Sequence, residues 1–297
     1  MNKSNFITIA TAIVSLLFVA CNNNVETPVA SVQVHVNNFT ISQEDFEGPQ
    51  KAPAAEQPIT GYSGVKAITL AFYQDATEVV KITQLRNDAT TYTTFGDFSY
   101  SLPMGSYTMV VIGHGLNDGE PAITLTSPTS ATFGDYPARE TFVNTQTVNI
   151  TNTAAVNISA TLSRVVAKLQ VQSSDTRTNP AYSVRMTFAA GGKSLNPTTG
   201  LAADNTGFSN AVTISTAVGA TSLSNSYLFL ATDEQTMDVT IETLDEDGNS
   251  LYSKTVENVP FKRNRVTILT GAVYTNSSIS GAFRVEDTWL SNYNANF

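Results

Sequence analysis

Apolar and polar residues alternate one by one along most of this chain, a period that a pleated strand satisfies and a helix cannot. Over Ser31–Ile41 the residues Val32, Val34 and Val36 share one face, and the phase then slips to Phe39 and Ile41, as a bulge requires. The pattern returns at Val65–Tyr73, Glu78–Gln84, Tyr92–Leu102, Tyr107–Ile112, Thr145–Ile150 and Ala155–Leu162. It continues through Arg164–Val171, Tyr182–Phe188, Ser226–Leu230, Met237–Leu244, Leu251–Val256, Arg265–Val273 and Gly281–Trp289. Asp247-Gly248, between two of these runs, is the strongest hairpin signal. Short strands at this spacing predict β-sandwiches. Composition agrees: 41 Thr and only 14% charged residues suit half-buried pleated surfaces. The predicted fold is all-β. A length of 297 residues allows two units of ~100–150 residues, and the boundary is placed near residue 162.

The N-terminus has a different grammar. Lys3 precedes an apolar run, Phe6 to Val19, broken only by Thr8, Thr11 and Ser15, which leads into Phe18-Val19-Ala20-Cys21. The run is shorter than the ~20 apolar residues of a membrane span, and a basic start, an apolar middle and a small residue at its end define an export signal. It resembles a bacterial lipoprotein signal, with cleavage between Ala20 and Cys21 and a lipid on Cys21; Phe18 stands where Leu is commoner. The other reading is an ordinary secretory signal with an incidental cysteine. Residues 1–20 are then a signal peptide and residues 21–30 a polar spacer, and a lipidated Cys21 tethers the chain to a membrane.

Reactive groups are few. A net charge of -9 repels phosphate backbones, so nucleic acid is not an expected partner. One cysteine makes no intrachain disulfide, and with His35 and His114 it gives too few ligands for a structural Cys/His zinc site. His114, within Gly113-His114-Gly115, has no nucleophile motif beside it and reads as a solvated turn histidine. His35 lies on the polar face of the first strand, where a cross-strand role fits. Asp245-Glu246-Asp247-Gly248-Asn249 is not a calcium loop, since Gly falls at position four and Val256 at position twelve. No cofactor, metal or enzymatic activity is expected.

Gln43–Gly64 carries Gly48, Pro49, Pro53, Pro58, Gly61 and Gly64, so no ladder is expected there, and it is long for a loop inside a compact domain. Lys51 is the only basic residue between Gln43 and Val65.

Taken in order, several segments resemble the fimbrillin family, the type V pilus subunits of certain Gram-negative outer membranes. They are the signal through Cys21, the lone strand Ser31–Ile41, Val65–Tyr73 and Leu102-Pro103-Met104-Gly105-Ser106-Tyr107. Leu162–Leu169, Pro260–Val266 and the final Phe283–Trp289 complete the set. The resemblance implies two tandem transthyretin-like β-sandwich domains, 31–162 and 163–297, with a removable first strand 31–42 and a linker 43–64. It implies a structural subunit of a cell-surface fimbria or pilus, matured by proteolysis in the linker and polymerised by β-strand exchange with other pilus subunits in support of adhesion. Carried onto this chain, the cut falls between Lys51 and Ala52, with Lys where the family's best-known cases have Arg. Val32, Val34 and Val36 would leave a groove for a C-terminal donor strand containing Val285 and Trp289. An anchor or accessory subunit that stays uncut is a second expectation. A monomeric surface lipoprotein that binds glycan, host matrix or another adhesion receptor is a third.

Overall fold

The computed structural model describes residues 27–41, 55–88, 90–275 and 284–287. The first half of the described chain holds ten strands: β1 (Val29–Ile41), β2 (Ala55–Pro58), β3 (Ala67–Gln74), β4 (Thr77–Leu85), β5 (Asp97–Pro103), β6 (Gly105–His114), β7 (Thr124–Ser127), β8 (Ser130–Thr132), β9 (Thr141–Ile150) and β10 (Val156–Arg164). The second half holds ten more: β11 (Ala167–Ser173), β12 (Ser183–Phe188), β13 (Ser194–Asn196), β14 (Leu201–Ala202), β15 (Phe208–Thr213), β16 (Leu223–Leu228), β17 (Glu234–Leu244), β18 (Ser250–Lys262), β19 (Val266–Gly271) and β20 (Arg284–Asp287). The fold is all-β.

In the first half, β5 and β2 line one side of β1 and β10 runs parallel to it on the other. β10 meets β9 only at Ser163 and Arg164, opposite Val143 and Phe142, and the sheet folds over at that corner. The remaining order β9-β6-β3-β4 therefore faces β1 across a core of Val32, Val34, Phe72, Met109, Phe142 and Leu162.

The second half repeats this wiring. β11 pairs with β16 on one side and parallel to β19 on the other, while β15-β12-β17-β18 forms the facing sheet over a core that includes Leu169, Phe188 and Phe261. Strand for strand, β1, β3, β4, β5, β6, β9 and β10 correspond to β11, β12, β15, β16, β17, β18 and β19. No obvious repeat of sequence accompanies this repeat of topology, because the period-two pattern fixes which face is buried and leaves the residue types free.

A third apolar cluster joins the halves. The β7–β8 hairpin, in a segment expected to be loop-rich, pairs with β13 of the second half, Ser194 opposite Thr132 and Leu195 opposite Ala131. Beneath that sheet, Val110, Phe133, Val166, Leu195 and Phe229 are buried together. These pieces are two to four residues long, too short for a periodicity reading.

The structure also corrects the reading of His114. It is fully buried, its Nδ1–H donates to the Gly115 carbonyl at 2.6 Å, and its Nε2 accepts the Ile123 N–H at 3.1 Å. Burial pushes its pKa down to about 4, against a smaller opposing effect of the Gly115 hydrogen bond. The unfolded chain, with an ordinary histidine near 6.5, takes up this proton first as pH falls. Stability contributed by the neutral, buried ring is thus whole above pH ~6.5 and declines toward pH ~4 by up to about 1.4 kcal/mol per pH unit. Thermal melts across that range should show this loss, and in His114→Gln the slope should flatten.

Candidate functional site

β1 spans Val29–Ile41, two residues longer at its start than the alternation predicts, and its phase shift is observed: the register with β10 slips between Val36 and Asn38. Val32, Val34 and Val36 are at most 2% exposed and Phe39 is fully buried. Burying four such side chains stabilises by about 6–12 kcal/mol, as large as the whole net stability of an ordinary domain. A first half that lost β1 would therefore need another strand in its place.

The outward face of β1 is polar and tied to β5. Gln33 Nε2 donates to Ser99 Oγ at 2.7 Å, and His35 Nδ1 lies 3.0 Å from Asp97 Oδ1, the cross-strand role expected for it. At the bulge, the Val36 N–H donates to the Gly96 carbonyl at 2.9 Å. Gly96 has φ +97°, a conformation that favours glycine, and a Cβ there would sit 3.2 Å from the Val36 carbonyl oxygen of β1.

Part of the segment in which no ladder was expected does hold one: Ala55–Pro58 forms β2, antiparallel to Asn38–Ile41. Pro58 is tolerated because β2 is an edge. Among the described residues β2 pairs with β1 alone. Beyond it the chain is fastened to the body. Arg86 donates to the carbonyls of Val65 at 2.6 Å and of Ile59 and Tyr62 at 3.1 Å, with its guanidinium 4.3 Å above the Phe95 ring.

Tyr62 is the second fastening, and it belongs to a network that no short motif announces. Its hydroxyl donates to Glu140 Oε1 at 2.6 Å and accepts from Arg164 Nη2 at 3.1 Å. Arg164, with no exposed side-chain surface, pairs with Glu140 at 2.6 Å and stacks over Phe142 at 5.1 Å. Phe39, Tyr62 and Phe142 are mutual neighbours at 5.0–5.9 Å between ring centroids. Burial, reinforced by the Glu140 charge, drives the Tyr62 phenol far above its ordinary pKa. Arg164 also donates to Asn264 Oδ1 of the second half at 3.3 Å. One buried cation thus joins the start of β9, the segment after β2 and the turn before β19.

Next to Arg164 an open polar groove between the halves is bordered by Thr145, Thr199, Asp233 and Arg263. The cations along it are ion-paired, Arg263 with Asp233 at 2.7 Å and Lys262 with Glu234 at 2.5 Å. Among the described residues no cluster of three or more His, Cys, Asp or Glu converges on a metal site.

At the other end of the chain, β20 lies antiparallel to β19 with Val285 opposite Leu269. The described part of this strand is shorter than the Gly281–Trp289 expected. Ala20, Cys21, Lys51, Ala52 and Trp289 lie outside the described residues, so the lipidation, cleavage and tryptophan readings have no structural counterpart here.

The architecture defines a class: an all-β chain of two successive sandwiches, each closed by parallel pairing of its first strand with a later one. The chain belongs to the family of unknown function DUF6562, whose model matches residues 29–295. No curated protein matches the sequence. Among solved structures, a candidate adhesin of Bacteroides ovatus is 10% identical, with 89% of this chain and 98% of that chain covered and a TM-score of 0.50. A second Bacteroides ovatus candidate adhesin is 10% identical over 85% of this chain and 88% of that chain, with a TM-score of 0.49. The fimbrial anchor protein Mfa2 of Porphyromonas gingivalis is 12% identical over 86% and 95%, with a TM-score of 0.42. At 10% identity the likeness to the first of these is one of fold alone.

Proposed function

We propose that this chain is a structural subunit of a cell-surface fimbria, exported as a lipoprotein on Cys21 and assembled by strand exchange. In this reading Ala20–Cys21 is the signal cleavage point and Lys51–Ala52 the maturation cut. The units are 31–162 and 163–297. The C-terminal segment of the next subunit, with Val285 and Trp289, fills the groove left by Val32, Val34 and Val36. The observation that carries the reading is the place of β1, between β10 and β5 with its valines in the core. Such a strand cannot leave without being replaced, and strand addition is how proteins replace one.

One feature favours the uncut anchor or accessory subunit. β2 follows Lys51 in sequence and pairs with β1, so Asn38–Thr40 of the first strand are held by β10 on one side and by β2 on the other. Mass spectrometry of surface-extracted protein separates the two: an N-terminus at Ala52 supports the polymerising subunit, and one at lipid-bearing Cys21 supports the anchor. In parallel, Lys51→Ala is expected to abolish polymer on native gels, and unchanged polymer would overturn the maturation reading.

A further inference from the structure

We propose that the outer edge of β10 is a second strand-accepting site, taken by residues 288–297 of another copy of this chain while β1 stays in place. The inference rests on the strand-pairing reading above but not on the cut at Lys51: it describes the uncut chain, in which β20 stays on its own β19 and Trp289 pairs outside the β1 groove.

The repeat of topology points to the edge. In the second half, the outer edge of β19 carries β20, with Thr267–Thr270 opposite Asp287–Arg284. The corresponding edge of β10, Asn157–Thr161, carries no strand among the described residues. Its backbone direction can be read from its neighbours. The Thr161 carbonyl points outward and accepts from Asn144 Nδ2 at 3.0 Å, and Ser163 pairs outward with Val143. The two-residue repeat puts the N–H and C=O groups of Asn157 and Ser159 on that same side.

A second observation concerns side chains. Asn144 and Gln146 lie on β9 beside this edge, and Asn144 Oδ1 and Gln146 Nε2 are buried without a hydrogen-bond partner. Buried polar atoms are nearly always satisfied, and here an acceptor and a donor two residues apart on β9 are left over, the acceptor on the residue that already reaches Thr161 of β10. Val156 and Ile158 are only partly buried and pack on the first core, leaving an apolar inner wall. From Thr151 to Ser163 the sequence has no charged residue of the kind that guards an exposed edge.

The occupant is argued from sequence. Residues 288–297 directly follow β20 and carry no charged side chain; Trp289, Tyr293 and Phe297 share one face with Ser291 and Ala295, and Asn292, Asn294 and Asn296 share the other with Thr288 and Leu290. One face suits the apolar wall and the other suits solvent. Ten extended residues span about 33 Å, ample for a short ladder while β20 remains on β19.

The test uses the full-length Lys51→Ala chain and a synthetic peptide of residues 288–297. At a peptide concentration about ten times its Kd, amide exchange at Asn157, Ser159 and Thr161 should slow about tenfold while β1 amides are unchanged. Without peptide, the same protection should grow with protein concentration. Ser159→Pro, which removes an outward N–H, should abolish it. A peptide N-methylated at alternate residues should fail on the unaltered protein, which keeps the result independent of how the variant folds. No slowing, or slowing only in cut protein at residues that contact β1, overturns this inference and leaves the proposed function standing. Protection that ignores protein concentration puts the tail on its own chain and also overturns it. Protection at β10 in a Lys51→Ala chain that still polymerises sustains the inference and removes the maturation reading.

Discussion

Val34→Asp is expected to cost the uncut chain about 5 kcal/mol or more, because it puts an unpaired carboxylate into the first core. Val34 is 1% exposed and sits mid-strand with Ile158 on one side and Phe98 on the other. Its neighbours in this core are apolar residues. Gln33→Asp, one residue away on the outward face, should stay within about 0.5 kcal/mol of the parent. The contrast in thermal midpoint tests the face assignment directly. It also tests exchange: a peptide of Val29–Ile41 with Val34 intact should restore the midpoint of the Val34→Asp chain in a concentration-dependent way. Failure of the peptide to restore it would mean that β1 is a fixed part of the sandwich.

Arg164→Ala should be nearly as damaging, at about 3–5 kcal/mol, since removing one partner leaves the other charge buried and uncompensated. The stranded group is Glu140, 9% exposed, which keeps only the Tyr62 hydroxyl beside it in this network. Arg164→Met with Glu140→Gln removes both charges and keeps most of the volume, so it should recover a large part of the loss. A double mutant no better than Arg164→Ala would show that packing over Phe142, and not charge, is what the arginine supplies. The damage should reach both halves, because Arg164 also holds Asn264.

Much of this fold was legible in the sequence, for an identifiable reason. Where one face of a strand is buried, as in Val32-Gln33-Val34-His35-Val36, alternation is strong, and both the strand and its bulge can be read off. Asp247-Gly248 likewise marks the turn between β17 and β18, with the Gly248 N–H donating to Asp245 O and φ +83° at the glycine. Where both faces are buried, the alternation that marks Val65–Tyr73 as a strand no longer separates inside from outside. β3 is buried at seven successive positions, Ala67 to Tyr73, because the first core lies on one side and the third on the other. The expected start of strand at Tyr92 failed for a local reason: the chain turns at Gly96, and the ladder begins only at Asp97.

The site divides in the same way. The valines of β1 are visible because burial leaves a pattern. The Tyr62, Glu140 and Arg164 network is not, because its members are 78 and 102 residues apart and each alone reads as a surface residue. Glu140 next to Arg139 and Arg164 within Leu162–Leu169 gave no signal of burial. His114 was misread for the same reason, since a Gly-His-Gly string says turn and only the tertiary cover of Phe133 and Ile123 makes it interior.

The parallel pairing of β1 with β10, repeated in β11 with β19, has a mechanical consequence. When tension is applied to the two ends of a unit whose first and last long strands run parallel, the strands slide past one another lengthwise, and their hydrogen bonds share the load instead of opening in turn. Rupture then depends on the unfolding rate under load, and the two halves stand in series along the chain, each closed by the same kind of ladder. A protein wired this way would meet tension along its length with two links of the same kind.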